Sequence, residues 1–407
     1  MKQRKKIIWY SVLMVLTFFC FGLRVQANEV EDIRPIEIGK EETQNQISEQ
    51  QIIDYGINLL DWDSINALQE ELADAMPKDI SFDLKSEMQK LIQGDAGITV
   101  GSVLAYVGGI LLSEIGVFLQ LGARFILIVL LCNLLQTLSS AFKSKNTSKV
   151  AFFVCYMAIL LSVIQSFRVM IELATNLIDQ VTHLMMVVIP IMLAFMATSG
   201  FNLSAGMMAP VIISTLNLLS YLVKVIVLPC IISVVVLEIV SSMSEEFKVN
   251  KLIGLFYKGI KWGLTSVLGV SVGLLSLYRF TITGVDTTAK SATVKFSSAF
   301  IPVVGNAIGG SVEFITNIST LIKNTFGGGI IIWILVLASI PMIKLLAYVC
   351  IYQVAGAVIE PMGDKKMASI ATKLGKGCQF IMSSAGIVVL FGICAIMICM
   401  SISAAGV

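Results

Sequence analysis

The feature that most constrains this chain is a series of long apolar stretches that carry at most one charge each. Ala123–Leu138, Val150–Phe167 and Phe380–Ser401 are three of them. About 20 such residues in a helix cross the ~30 Å hydrocarbon core of a bilayer. Only 14% of the 407 residues are charged, whereas soluble domains are nearer a quarter. The sequence therefore predicts an all-α, polytopic helical integral membrane protein.

The first 27 residues have the layout of a secretory signal peptide. A basic MKQRKK stretch precedes an apolar core, and the small-residue stretch VQA ends at Ala27. We predict cleavage after Ala27, with an uncleaved anchor helix as the alternative. In either case the next segment is delivered outside the cytoplasm.

Residues 28–100 form an acidic extracytoplasmic segment with 17 acidic and 5 basic residues. Ile65, Leu68 and Leu72 recur at helical spacing, which predicts an amphipathic helix that begins near Asp63. So few apolar residues would build only a thin core, so we expect short helices that need a partner or the membrane surface. A solvated acidic spacer is the alternative.

Residues 101–407 form the basic, polytopic membrane domain, for which hydropathy predicts about eight spans. With the amino end outside, the positive-inside rule places the polar link 168–183 outside and the uncharged turn 199–206 in the cytoplasm. An amphipathic or re-entrant segment is predicted at 300–326. The predicted spans are 123–138, 150–167, 184–198, 207–222, 225–243, 263–278, 329–348 and 380–401.

Three lysine-rich loops, at 143–149, 244–261 and 363–377, all fall on the predicted cytoplasmic side. Basic amphipathic loops of this kind lie against anionic lipid or dock a cytosolic partner, and both interpretations stay open. The candidate docking residues are Lys248, Lys251, Lys258, Lys261, Lys365, Lys366, Lys373 and Lys376.

No motif for a metal, a phosphate or a catalytic nucleophile occurs, and His183 is the only histidine. The sequence therefore predicts neither an enzyme nor a cofactor, and it gives no sign of nucleic-acid binding. Charge inside the predicted spans is more informative, because burying it in a bilayer is costly. Glu238 and Lys344 are the deepest such groups, and they either line a pathway or pair with neighbouring helices.

The stretch FIPVVGNAIGGSVEFI, residues 300–315, is too polar and too rich in glycine for a lipid-facing helix. Its apolar residues recur at three- and four-residue steps, which predicts an interfacial helix or a re-entrant, cavity-lining segment. The candidate conduit or packing residues here are Pro302, Gly305, Asn306, Gly309, Gly310 and Glu313.

Several stretches carry a family resemblance: SKVAFFVCYMAILL, SSMSEEFKVNKL, TAKSATVKF, FIPVVGNAIGGS and LIKNTFG, in this order along the chain. On them the chain resembles the stage III sporulation protein AE family. The resemblance implies a membrane component of a channel that joins mother cell and forespore, in the mother-cell membrane around the forespore. Implied partners are the other proteins of the same operon, including a secretion-type ATPase and ring-forming proteins, and a forespore membrane protein. The resemblance assigns no catalytic residue.

Two other functions remain open from the residues themselves. A stand-alone secondary transporter is suggested by prolines in or beside the spans and by Glu238. A scaffold that recruits partners without conducting anything is the third interpretation.

Overall fold

The computed structural model describes residues 62–73, 85–86, 108–109, 116, 120, 122–131, 134, 145–243, 249–300, 302–362 and 365–402. Almost all of these residues are helical and none of them lies in a strand, which confirms the all-α class. The signal peptide, its cleavage point after Ala27 and most of the acidic segment lie outside the described residues.

Eight α-helices follow one another along the described chain. A five-residue π-helical turn, Val223–Val227, joins α4 to α5, and a 3-10 turn, Glu360–Met362, follows α7. The helices are α1 (Trp62–Ala73), α2 (Gly122–Leu131), α3 (Lys145–Thr198), α4 (Asn202–Leu222), α5 (Leu228–Met243), α6 (Asn250–Phe300), α7 (Pro302–Ile359) and α8 (Lys365–Ser401).

Five stretches of the described residues are long and apolar enough to cross a membrane, which supports a membrane-embedded protein. They are Met157–Thr198, Asn202–Ser242, Asn250–Asp286, Thr316–Ile359 and Met367–Ser401. These spans are fewer and longer than the eight predicted from hydropathy. Most of the predicted apolar stretches lie inside them.

The structure of α3 differs from the predicted division into two spans with an outer link. The stretches 150–167 and 184–198 belong to one helix of 54 residues, and the link 168–183 is helical throughout. The link contains neither glycine nor proline, so nothing in it ends a helix. In the same way α4 and α5 are joined through the π-helical turn rather than by an outer loop.

A glycine ends α3 at the sharp turn into α4. Gly200 has a φ of 89°, in the left-handed region that side chains rarely adopt. The amide of Gly200 donates to the Ala197 carbonyl and the amide of Phe201 to the Met196 carbonyl, each at 3.0 Å. This is the Schellman pattern, in which two otherwise unpaired carbonyls at the helix end are satisfied.

Successive long helices run antiparallel, so the bundle has two distinct ends. The Phe195–Phe326 ring contact and the Phe167–Tyr352 ring contact set α3 against α7 in opposite directions. Tyr257 near the start of α6 contacts Glu238 of α5 and Phe380 of α8, and α7 ends just before α8 begins. The ends of α5 and α7 and the starts of α6 and α8 therefore share one end, which we call the lysine end. The turn at Gly200 lies at the opposite end, so its predicted place beside the lysine loops is wrong.

The long helices exceed the thickness of a membrane. The 37 residues of α8 extend over about 55 Å at 1.5 Å per residue. Because the hydrocarbon core is ~30 Å thick, parts of the bundle project beyond it.

The stretch 300–315 spans the end of α6 and the start of α7, with Pro302 at the first helical position. From Pro302 onward its backbone continues into α7 without a break.

One helix of the acidic segment packs on the membrane domain. The helix predicted from Ile65, Leu68 and Leu72 is present as α1, with Asp63 in its first turn. Ile65 is buried in the same hydrophobic core as the long helices, and Trp62 packs against that core. At this helix the segment is therefore part of the fold and not a free spacer.

Candidate functional site

Glu238 is the centre of a polar cluster at the lysine end. It lies on α5, where only 5% of its surface is exposed, and its Oε2 accepts a hydrogen bond of 2.9 Å from the Tyr257 hydroxyl on α6. The Tyr257 ring stacks on Phe380 of α8 at a centroid distance of 4.8 Å. A buried carboxylate needs such partners, because an unpaired charge in a protein interior is costly. The cluster ties α5, α6 and α8 together.

Two lysines of the predicted docking set complete this cluster. Lys376 Nζ lies 3.8 Å from the centroid of the Tyr257 ring, and Lys373 Nζ donates to the Ser242 hydroxyl at 3.2 Å. Both ammonium groups interact favourably with the Glu238 carboxylate. Lys373 is half-buried, so part of this predicted loop is the start of α8 and faces the bundle.

The remaining lysines divide into exposed and undescribed residues. Lys251, Lys258 and Lys261 are exposed on the first turns of α6, beside an exposed Trp262. These three can contact a partner or a lipid headgroup. Lys248 and the side chains of Lys365 and Lys366 lie outside the described parts.

The opposite end carries a second polar cluster, which the sequence did not predict. The Asp286 carboxylate on α6 is buried, and it accepts hydrogen bonds from the Leu203 amide at 3.3 Å and from the Ser204 amide at 2.7 Å. The Ser204 hydroxyl donates to the same carboxylate at 2.6 Å. A distant carboxylate thus caps the amino end of α4, where backbone amides lack partners and negative charge is favoured.

Two cations meet the carboxyl end of α8 at this same end of the bundle. Lys323 on α7 is fully buried and donates to the Cys399 carbonyl at 3.0 Å, and Arg279 on α6 donates to the Ser401 carbonyl at 3.1 Å. Positive charge is favourable at a helix carboxyl end, where carbonyls lack partners. The two capping groups come from different helices, so they join α6, α7 and α8.

The structure keeps Glu238 and Lys344 apart. Lys344 is half-buried on α7, two residues from Met342, which packs against Gly386. Glu238 binds Tyr257, whose ring lies under Lys376, ten residues of α8 from Gly386. Lys344 is two residues nearer to the lysine end than Met342, so the two levels differ by roughly 12 Å. They do not form one site.

The residues predicted in the stretch 300–315 are only partly described. Pro302, Gly305, Asn306, Gly309, Gly310 and Glu313 lie on the helical backbone of α7, and their side chains lie outside the described parts. Their role as conduit or packing residues stays a prediction.

The polar groups of the described residues make contacts between helices. Among them, no group of three or more histidine, cysteine, aspartate or glutamate residues is placed to hold a metal ion. The polar groups of both clusters join helices that are remote in sequence.

The comparisons with known proteins give one consistent result. The family model described as stage III sporulation protein AE matches residues 82–403. The chain belongs to the stage III sporulation protein AE family. A protein named stage III sporulation protein AE, from Bacillus subtilis (strain 168), is 29% identical over 304 residues, which cover 75% of this chain and 76% of the relative. No solved structure matches the chain.

The family match confirms the resemblance found in the sequence motifs and assigns the protein a role in sporulation. The family is named for a stage of sporulation and not for an enzyme activity. Reasoning from the sequence missed Asp286, Arg279 and Tyr257 and the capping role of Lys323. All four act across helices, and no local pattern marks such pairs.

Proposed function

We propose that this protein is the polytopic membrane component of a channel or secretion-like complex that links mother cell and forespore. In this proposal it lies in the mother-cell membrane around the forespore and supports forespore development and late forespore gene expression. The observation that carries the proposal is the family match over residues 82–403, which covers all five long helices. A membrane bundle without a described catalytic constellation suits a component that works through partners.

The lysine end is the proposed cytosolic contact. Helix orientation gathers the lysine loops at one end, and the positive-inside rule favours the mother-cell cytosol there. Lys251, Lys258 and Lys261 are exposed on α6, where they can meet an acidic surface of a secretion-type ATPase. Anionic lipid is the competing ligand for the same face. The acidic amino-terminal segment would then lie toward the ring-forming proteins between the two membranes.

The test is a detergent pull-down of the tagged protein from cells during engulfment, with mass-spectrometric identification of what co-purifies. We expect ring-forming proteins, the ATPase and the forespore membrane partner. Recovery of this chain alone, when other membrane complexes survive the same detergent, would contradict the proposal and favour a stand-alone secondary transporter. An intact complex with normal spore yield in Glu313→Ala and Lys344→Ala cells would favour a non-conducting scaffold.

A charge-reversal pair separates ATPase docking from lipid binding. Lys251, Lys258 and Lys261, all changed to glutamate, should abolish cross-linking to the ATPase while the ring-forming proteins are still recovered. The matched control reverses Lys290 and Lys295, which lie on the same helix toward its other end. A reporter fusion at the carboxyl terminus must show unchanged orientation in both variants, since lysines also set topology. Equal ATPase recovery in variant and control would overturn the docking site.

A further inference from the structure

The outward face of α3 is polar where a membrane helix should be apolar. Between Val169 and Met186, the exposed residues of this helix are Glu172, Asn176, Asp179 and His183. They follow one another at steps of four, three and four, so they form one stripe along the helix. The inward face is apolar, with Leu177, Ile178 and Val181 completely buried.

The carboxyl-terminal part of this polar stripe lies level with the middle of an apolar stretch. Val181 and Met185 pack against Gly392, which is near the middle of the apolar stretch 380–401 of α8. Next to Val181, the hydroxyl of Thr182 is hydrogen-bonded to the hydroxyl of Ser220 on α4 at 2.8 Å. Asp179 and His183 are each two residues from Val181, so they lie near the middle of this stretch, whereas Glu172 lies nine residues away, or roughly 14 Å.

An ion pair at this height is open to the outside of the bundle. Asp179 on α3 binds Lys224, which lies in the π-helical turn, and 57% of the Asp179 side chain and 32% of the Lys224 side chain remain exposed. Hydrocarbon cannot solvate these charges, so lipid contact here would be costly. Protein or water has to cover this face.

Polar and aromatic neighbours extend the same surface onto α4. Asn217 and Tyr221 are exposed on α4, seven and three residues before Lys224, which puts them on its side of the helix. Tyr221 is 59% exposed, and a tyrosine with an apolar ring and a polar tip is typical of interface centres. We call the surface formed by Asn176, Asp179, His183, Asn217, Tyr221 and Lys224 the mid-height patch.

We propose that the mid-height patch packs against the mid-height patch of a second copy of this chain. All copies share one orientation in the membrane, so a twofold axis relating two of them runs along the membrane normal and keeps each group at its own height. Asp179 and Lys224 lie side by side at one height because they are bonded to each other. If the axis faces the point midway between the two side chains, rotation by half a turn sets Asp179 opposite Lys224 of the second copy, and Lys224 opposite Asp179 of the second copy.

The patch is thus self-complementary in charge, which is what an isologous contact requires. The proposal holds whether or not the complex conducts, because it follows from desolvation of the exposed ion pair.

Charge exchange between two tagged copies tests the proposal directly. Asp179→Lys gives a patch with two positive groups, and Lys224→Asp gives one with two negative groups. Each variant should lose self-association in nanodiscs, by at least about tenfold in co-purified partner. Mixing the two variants should restore association, and so should the double variant Asp179→Lys, Lys224→Asp in one chain. If the ion pair only stabilises its own chain, mixing the two single variants will not restore association. That result would overturn the proposal.

Photo-cross-linking distinguishes the possible coverings. A benzophenone amino acid at Tyr221 should give a dimer of this chain, whereas the same probe at Val270, which is 61% exposed on α6, should react with lipid. A cross-link from position 221 to a different protein would overturn the proposal. The proposal would also be overturned if Asn176→Cys reacts with a membrane-impermeant thiol reagent and position 221 gives no dimer. That combination indicates a face lined by water.

Discussion

The close approach of three helices at Gly377 gives the sharpest test of the packing. A Cβ atom at this position of α8 would lie 2.5 Å from Val235 Cγ2 on α5 and 3.1 Å from Phe167 Cζ on α3. Ordinary carbon contacts are about 3.5–4.0 Å, so Gly377→Ala has to displace a neighbour by about 1 Å. Both neighbours are buried, with 2% and 4% of their surfaces exposed, so they have little room to move.

The magnitude follows from two opposing terms. Overpacking of a filled core costs about 1–3 kcal/mol, and alanine regains up to about 1 kcal/mol over glycine inside a helix. With the middle of the first range and the full second term, Gly377→Ala should lower stability by about 1 kcal/mol. In the matched control, Gly254→Ala on α6, the new Cβ meets nothing within 4 Å. That variant should gain about 0.5–1 kcal/mol.

The assay is the temperature at which half of the detergent-solubilised protein loses its monodisperse peak in size-exclusion chromatography. The midpoint temperature of Gly377→Ala should be several degrees below that of the wild type, and the midpoint of Gly254→Ala should not be lower. Adding Val235→Ala to Gly377→Ala removes the closest atom, so the double variant should be more stable than the sum of the two single changes. Equal midpoints for the two glycine variants, or strict additivity in the double variant, would refute the packing of α8 against α5.

Three further predictions concern the polar clusters. Asp286→Ala leaves buried donors at the start of α4 without an acceptor and should lower the free energy of unfolding by about 3 kcal/mol, whereas Ser204→Ala should lower it by about 1 kcal/mol. Amide hydrogen exchange at the amino end of α4 should rise only in Asp286→Ala. Equal exchange in the two variants would contradict the cap. Tyr257→Phe removes the hydroxyl that donates to the buried Glu238 carboxylate and should lower the free energy of unfolding by about 1–3 kcal/mol. The thermal midpoint should fall, and adding Glu238→Gln to this variant should not lower it further. Lys323→Met loses a hydrogen bond but removes a buried charge, so its thermal midpoint should change little. Lys323→Glu should prevent recovery of folded protein, because it buries a negative charge beside carbonyl oxygens. Good recovery of Lys323→Glu would show that the carboxyl end of α8 does not lie at this site.

The sequence predicted the helical membrane class, because long uncharged stretches leave few alternatives. It predicted the gathering of the lysine loops, and the antiparallel helices place the ends of those loops together. The structure differs from the prediction at 168–183, where the drop in hydropathy indicated a short polar amphipathic link outside the membrane. The structure shows that the polar residues there form one stripe of a continuous helix, so helical periodicity was the better guide than average hydropathy.

The candidate site was less predictable than the fold. The isolated position of Glu238 in an apolar stretch was a usable signal for a buried charge. Its partner Tyr257 lies on another helix and has no local signature. The Asp286 cap of α4 is likewise a tertiary contact, across 82 residues. Pairs of this kind depend on how the helices pack, which one sequence does not specify.

The Asp286 contact also has a consequence for the order in which the chain is made. The amino end of α4 leaves the ribosome 82 residues before the carboxylate that caps it. At about 5–20 residues per second, the amides at that end wait roughly 4–16 s for their acceptor. Arg279 waits longer for its carbonyl at Ser401, at the very end of α8. The end opposite the lysines therefore closes last, and a chain truncated before its final helix cannot close it.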